Sequence, residues 1–390
     1  MISVADALEA LFDLAAPLPV EEVALEQAAG RVLAADAVAR RDQPPFAASS
    51  MDGYALKRAE ADLHAQFKVI GESAAGSRFA GRVGAGQCVR IFTGAPVPEG
   101  TDAVIIQENV TRQGDVITIV DGPNDSSNIR PAGGDFAMGT TLSAPRVLSP
   151  QHIALLASMN IPRVPVTRQP QVALISTGDE LVLPGETPGP DQIIASNTFG
   201  LKALLESVGC IARVLPIARD NVLSLRTAFD LARGNDMVVT IGGASVGDHD
   251  LVADAMADLG MEQSFYKVAM RPGKPLMAGR FGDMCMVGLP GNPVSAMVCG
   301  HVFLVPMLRK MMGLGGAAAP RATATLRDPL GKNGPREHYM RAVVENSEVT
   351  AFDRQDSSLL TILAEANALL VRPPHDGPRD AGETVDYIPI

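Results

Sequence analysis

The sequence predicts a multidomain α/β protein: a doubly wound parallel-sheet domain, a small α/β lead-in domain with an inserted β domain, and a C-terminal all-β domain. Three observations carry this. Between Pro170 and Met312, short apolar runs alternate with helical patterns, the signature of a parallel sheet covered on both faces. Between residues 46 and 133, short strands are separated by Gly-rich turns at roughly 10-residue intervals, the spacing of a barrel or sandwich. After a Gly/Ala/Pro linker at 313–320, short strands recur to the end of the chain. The boundaries read as 1–45 with 134–169 (lead-in), 46–133 (insertion), 170–312 (doubly wound) and 318–390 (C-terminal).

Composition narrows the function. Of the 390 residues, 46% are hydrophobic and 20% charged, as expected of a soluble globular chain with a sizeable core. A net charge of −11 argues against nucleic acid as a partner, because sequence-independent binding needs a basic footprint. With no Trp and four Tyr there is little for bases to stack on. Cys88, Cys210, Cys285 and Cys299 show no C-x-x-C spacing and read as reduced thiols of a cytoplasmic protein. The first residues carry Asp6, Glu9 and Asp13 and lack a basic run, so no signal peptide is expected. The longest apolar run, 294–308, contains His301 and is too short to span a bilayer, so no membrane partner is expected.

In chain order, Ser3 and Asp6 form a capping box for a helix carrying Leu8, Leu11, Phe12 and Ala15 at helical spacing. Pro17 and Pro19 end it. Strands are expected over 20–25 and 31–38. Pro44-Pro45 begins an extended loop that runs to Asp52-Gly53, where Asp52 reads first as a turn residue. Strands over 67–71, 87–91, 103–108 and 116–120 follow, with Thr93 presenting a hydroxyl in a long turn. After the polar stretch 127–135, a helix starts at Pro150, and a strand over 161–166 returns the chain to the lead-in domain.

The central domain holds the chemistry. Strand Gln171–Ser176 ends in Thr177-Gly178-Asp179-Glu180, and a helix runs from Asn197 to Val208. A strand over 211–218 ends at Arg219-Asp220 and leads to a helix over 223–232. Strand Met237–Ile241 empties into Gly242-Gly243-Ala244-Ser245-Val246-Gly247-Asp248-His249-Asp250, with a helix expected over 251–259. After the turn Arg271-Pro272-Gly273-Lys274-Pro275, a strand over 284–288 feeds Leu289-Pro290-Gly291-Asn292-Pro293-Val294-Ser295 and a further helix. In a parallel sheet such loops share the carboxyl edge, where ligands bind. Glycines admit close backbone approach, and helix N-termini favour anions. Lys267, Arg271 and Lys274 add positive charge; Asp248 and Asp250 oppose it, which a divalent metal would reconcile. Glu180, Asp220 and Asp250 close three strands and are placed to converge. There is no Walker loop and no G-x-G-x-x-G, so neither an ATPase nor a dehydrogenase is indicated. In the last domain Arg336 and Arg341 flank His338-Tyr339-Met340; an exposed arginine on a strand is the commoner case.

Five ordered stretches together resemble the MoeA family of molybdopterin molybdenumtransferases, which includes the E domain of gephyrin. They are Pro45–Ala55, Thr93–Pro98, Ser176–Leu181, Gly242–Gly247 and Leu289–Ser295, and the likeness runs over nearly the whole chain. The resemblance implies insertion of molybdate into adenylylated molybdopterin with release of AMP, Mg²⁺ dependence, and a homodimer. The site would lie between the doubly wound domain of one subunit and the other three regions of its partner. A molybdopterin adenylyltransferase and acceptor molybdoenzymes are further implied partners. By the family's motifs Asp52, Glu180, Asp220 and Asp250 are catalytic, the last three also holding metal. Thr93, Asp135, Thr177, Gly178, Asp179, Gly242, Gly243, Ser245, Gly247, Lys267, Arg271, Lys274, Pro290, Gly291, Asn292, Ser295 and Arg341 contact substrate. Departures from the family pattern are Arg271 where Lys is usual and Gly134 where Glu commonly precedes Asp135. Arg336 and Arg341 both remain candidates for one substrate-facing arginine. Three other functions compete: a scaffold of the gephyrin kind, an adenylyltransferase of the MogA type, and insertion of tungstate.

Overall fold

The computed structural model describes residues 1–122, 126–242 and 260–390. Helix Val4–Leu14 opens with the expected reciprocal cap. Ser3 Oγ accepts the Asp6 N–H at 3.0 Å, and the Asp6 carboxylate accepts the Ser3 N–H at 3.2 Å. Its buried face, Val4, Ala7, Leu8 and Leu11, packs into the core of the central domain. The lead-in sheet runs Val20–Ala24, Arg163–Thr167, Val32–Leu33, Arg146–Val147. The single strand expected over 31–38 is two, because the chain changes sheets between them. Asp36 takes the Ala144 N–H at 2.8 Å there, and Ala37–Val38 pairs separately with Thr141–Leu142.

The inserted region is a six-stranded sheet in the order Ala103–Ile106, Gly53–Leu56, Gln87–Ile91, Gln66–Ser73, Val116–Ile119, Val110–Gln113. Gly53 is needed here, since a Cβ would collide with the Ile105 carbonyl of the adjacent strand.

The central sheet runs Ile211–Val214, Gln171–Ser176, Met237–Ile241, Met284–Leu289, Met277–Phe281, Glu262–Tyr266. The first four are parallel, and the last two extend the sheet antiparallel. Met237–Ile241 and Met284–Leu289 are buried at every position, which is why they read as unbroken apolar runs. Among the described residues one helical stretch, Pro293–Met311, is apolar and long enough to cross a membrane, but 72% of its 18-residue apolar window is buried in the protein. A π-helical segment, Gly300–Leu304, interrupts it just before Pro306, which lacks the N–H a regular helix would use.

In the C-terminal domain, Glu337–Glu345, Glu348–Ala351, Ala322–Leu326, Thr384–Pro389 and Ala368–Arg372 form a ring. The first and last strands pair and close a small barrel, with one short helix, Leu360–Glu365, beside it. The basic segment read as a turn contributes a sixth strand. Met270–Arg271 pairs in parallel with Glu337 and His338. Just before it, Val268 bridges to Ile2, whose N–H bonds the Lys267 carbonyl at 3.1 Å.

Candidate active site

Three backbone bonds stitch neighbouring strand ends into one surface. Thr177 N–H reaches the Ile241 carbonyl (3.0 Å), Gly178 N–H the Ala218 carbonyl (3.1 Å) and Gly242 N–H the Leu289 carbonyl (3.1 Å). Gly242 has φ +97°, and a Cβ on it would sit 2.7 Å from the Thr177 carbonyl, so the stitching demands glycine. Gly178 has φ +147°, and the Glu180 carboxylate folds over the space a Cβ would fill.

The surface opens into a cleft of about 850 Å³. Thr177, Gly178, Glu180, Asp220, Gly242, Pro290, Gly291 and Asn292, all expected from sequence, line it together. Glu180 and Asp220 are exposed within it. Asp179 turns into the loop instead: its carboxylate accepts the Asp220 N–H at 3.3 Å and its carbonyl the Arg219 guanidinium at 2.9 Å. Gly243, Ser245, Gly247, Asp248 and Asp250, with the helix expected over 251–259, lie outside the described residues.

Ser295 is buried in the first turn of the helix that opens at Pro293. Sequence reading missed Ile193, Ile194, Asn197, Pro275 and Ser358, which also line the cleft. Ser358 arrives from the C-terminal domain by way of Arg341. Fully buried rather than exposed on its strand, Arg341 donates from Nη2 to the Asp356 carbonyl at 2.9 Å. Its backbone is bracketed by Gln355, at 3.0 and 2.9 Å. The loop so built docks on the cleft, where the Ser357 carbonyl takes the Val294 N–H at 3.1 Å. Arg341 Nε and Nη1 have no partner among the described residues. Burial and then the Arg271 charge push its pKa down. Arg336, by contrast, reaches the Met270 carbonyl at 3.4 Å. Arg271 and Lys274 are exposed, and Lys267, at φ +69°, stacks its ammonium 4.7 Å from the Tyr266 ring centroid.

Asp52 is more than a self-satisfied turn residue. Its Oδ1 accepts the Thr93 N–H at 2.8 Å and the Thr93 hydroxyl at 2.7 Å. These bonds, backbone first, hold its carboxyl below the usual range, and Arg90 adds to the effect. Asp52, Thr93 and the exposed Asp135 do not line the cleft of their own chain.

Family models for the MoeA N-terminal region (domain I and II), a probable molybdopterin binding domain and the MoeA C-terminal region (domain IV) match residues 2–160, 173–310 and 323–390. The molybdopterin molybdenumtransferase of Haemophilus influenzae is 36% identical over 383 residues, 96% of this chain and 95% of that one. This chain belongs to the MoeA family. Its namesake in a Nostoc species is 34% identical over 96% of the chain and 90% of the relative. The solved molybdopterin biosynthesis MoeA protein of Pyrococcus horikoshii OT3 superposes with a TM-score of 0.85 over the full length of both chains, at 27% identity.

In this MoeA protein the metal question turns on donor chemistry. Among the described residues no three His, Cys, Asp or Glu side chains cluster, but Glu180 and Asp220 share the cleft. Two carboxylates with free faces suit a hard, oxygen-seeking cation that keeps much of its water.

Proposed function

We propose that this MoeA protein is a molybdopterin molybdenumtransferase, inserting molybdate into adenylylated molybdopterin and releasing AMP. The observation that carries the reading is the cleft, where the carboxylates Glu180 and Asp220 face the loop Pro290-Gly291-Asn292 and the Arg341-anchored loop at Ser358. Carboxylates on one side and anion-seeking donors on the other suit a reaction between a phosphoanhydride and an oxyanion.

The phosphoryl groups lie against Thr177, Gly178 and Gly242, with the loop through Pro290, Gly291 and Asn292 supplying backbone donors beneath them. Glu180 and Asp220 would hold Mg²⁺, with Asp250, which lies outside the described residues, as the third carboxylate the family's motif implies. When bound, the ion supplies positive charge against the phosphoryl oxygens from which AMP departs. Arg341, Arg271, Lys274 and Ser295 bind molybdate, with Lys267 extending the positive field. The support is electrostatic: two fully buried, unpartnered N–H groups on Arg341 call for an acceptor, and an anion relieves its repulsion with Arg271. By the family's motif Gly243, Ser245 and Gly247, which lie outside the described residues, would also contact substrate.

The working unit is a cytoplasmic homodimer. Asp52 and Thr93 form a pre-set acceptor–donor pair away from the cleft of their own chain, and a second copy brings that pair, with Asp135, to the cleft. Single-turnover mixing with adenylylated molybdopterin, Mg²⁺ and molybdate, followed for AMP and for reactivation of a cofactor-free molybdoenzyme, tests the reading. AMP and active cofactor should appear together. Binding of the adenylate without cleavage would make the protein a scaffold.

A further inference from the structure

We infer that Asn197 is a positioning residue that presets the phosphate-facing loop at Gly291, an inference that rests on the transferase reading above. Asn197 begins helix Asn197–Ser207 and lines the cleft. Its Nδ2 donates to the Gly291 carbonyl at 2.7 Å, joining the start of one helix to the loop that opens another. Ser196 Oγ donates to its Oδ1 at 3.3 Å, which orients the amide. The usual role of Asn at a helix start, capping its own first turn, is not in use: the N-cap is Ser196, and no side-chain cap bond is made there.

The bond acts where packing does not. Below it the two helices meet closely. A Cβ on Gly200 would sit 3.0 Å from Met297 Sδ, and one on Gly300 would sit 2.9 Å from both Leu201 and Leu204. At Gly291, however, an added methyl would meet only Gly242 Cα, at 3.5 Å, among the described residues, so little packing holds this part of the loop. A peptide unit is rigid and trans, with its C=O and the following N–H pointing opposite ways. Pinning the Gly291 oxygen therefore fixes the direction of the Asn292 N–H. Among the described residues, neither the Gly291 nor the Asn292 N–H has a protein partner. Asn197 thus holds ready a donor that would otherwise have to be oriented at the expense of substrate binding.

The test compares Asn197→Ala and Asn197→Asp with the full-length wild type. The backbone order parameters of Gly291 and Asn292, measured without ligand by ¹⁵N relaxation, should fall from about 0.85 towards about 0.6 in the Ala variant. The KM for adenylylated molybdopterin in AMP release should rise about tenfold, the scale of one lost neutral hydrogen bond, with kcat and the molybdate KM held within about twofold. Asn197→Asp should be worse, because it sets a carboxylate against the Gly291 carbonyl and the bound anion. Unchanged order parameters in the Ala variant overturn the inference whatever the reaction proves to be. So do lowered order parameters with an unchanged KM while Glu180→Gln abolishes AMP release. Absence of AMP release from the wild type sinks the transferase reading instead, and the order parameters still decide whether Asn197 holds the loop.

Discussion

The two sides of the cleft are built by opposite means. On the acidic side, Glu180 and Asp220 stand exposed in the turns that follow two strands, with few bonds to hold them. The basic side stands behind the lining: Arg341 is fully buried, and the loop it anchors, bracketed by Gln355 and docked on Val294, carries Ser358 to the cleft. Exposed carboxylates cost little in folding free energy and adapt to a hydrated cation. A buried guanidinium with idle donors costs a good deal, which on the transferase proposal a bound anion would offset. The difference separates an adaptable wall from a preorganised one.

Substitutions can sharpen or break that contrast, and the largest effect is expected at Glu180. Glu180→Gln should lower single-turnover AMP release about a thousandfold, while the melting temperature stays put because the side chain is exposed. Arg341→Ala should raise the molybdate KM about a hundredfold and, unlike Glu180→Gln, destabilise the fold by about 2–4 kcal/mol in urea unfolding, since a buried anchor is lost. Equal stability of the two variants would end the distinction between the walls. Gly178→Ala puts a methyl where the Glu180 carboxylate rests and should slow AMP release about tenfold with no change in the molybdate KM.

The smallest effect concerns pH. On the basic side, burial first, then Arg271, Arg341, Arg372 and Arg336, push the buried His338 down to about 4 from 6.5. Burial alone takes His301 to about 4. Each histidine is neutral in the folded chain and ordinary in the unfolded one, so protons favour unfolding across this window. Stability is complete above 6.5 and falls towards 4, by about 1 kcal/mol per histidine between pH of about 6.5 and about 5.5. Urea unfolding across that range should show the slope roughly halved in His338→Gln. An unchanged slope would remove His338 from the account.

The acidic side was largely legible in the sequence. Glu180 follows Gln171–Ser176, whose two-sided burial makes it easy to read, Asp220 follows the edge strand Ile211–Val214, and Pro290-Gly291-Asn292 announces itself by its glycine and prolines. The basic side was not. Arg341 looks like any strand arginine, because its burial comes from a loop 14 to 15 residues further on, through Gln355 and Asp356. Met270–Arg271 reads as a turn beside Pro272, because the strand it pairs with belongs to another domain. The antiparallel strands Glu262–Tyr266 and Met277–Phe281 escaped because Glu262, Gln263, Gly279 and Arg280 interrupt their apolar pattern. Asn197 was visible only as a helix start; its bond to Gly291 spans 94 positions.

The segment that carries Lys267 and Arg271 is gripped by Ile2 at Val268 and by Glu337 and His338 at Met270 and Arg271. Its place is therefore set jointly by a residue that precedes the lead-in sheet and by residues of the C-terminal barrel. A chain made only as far as the doubly wound domain lacks half of that grip, so this segment reaches its final place only after Glu337 and His338 have been made.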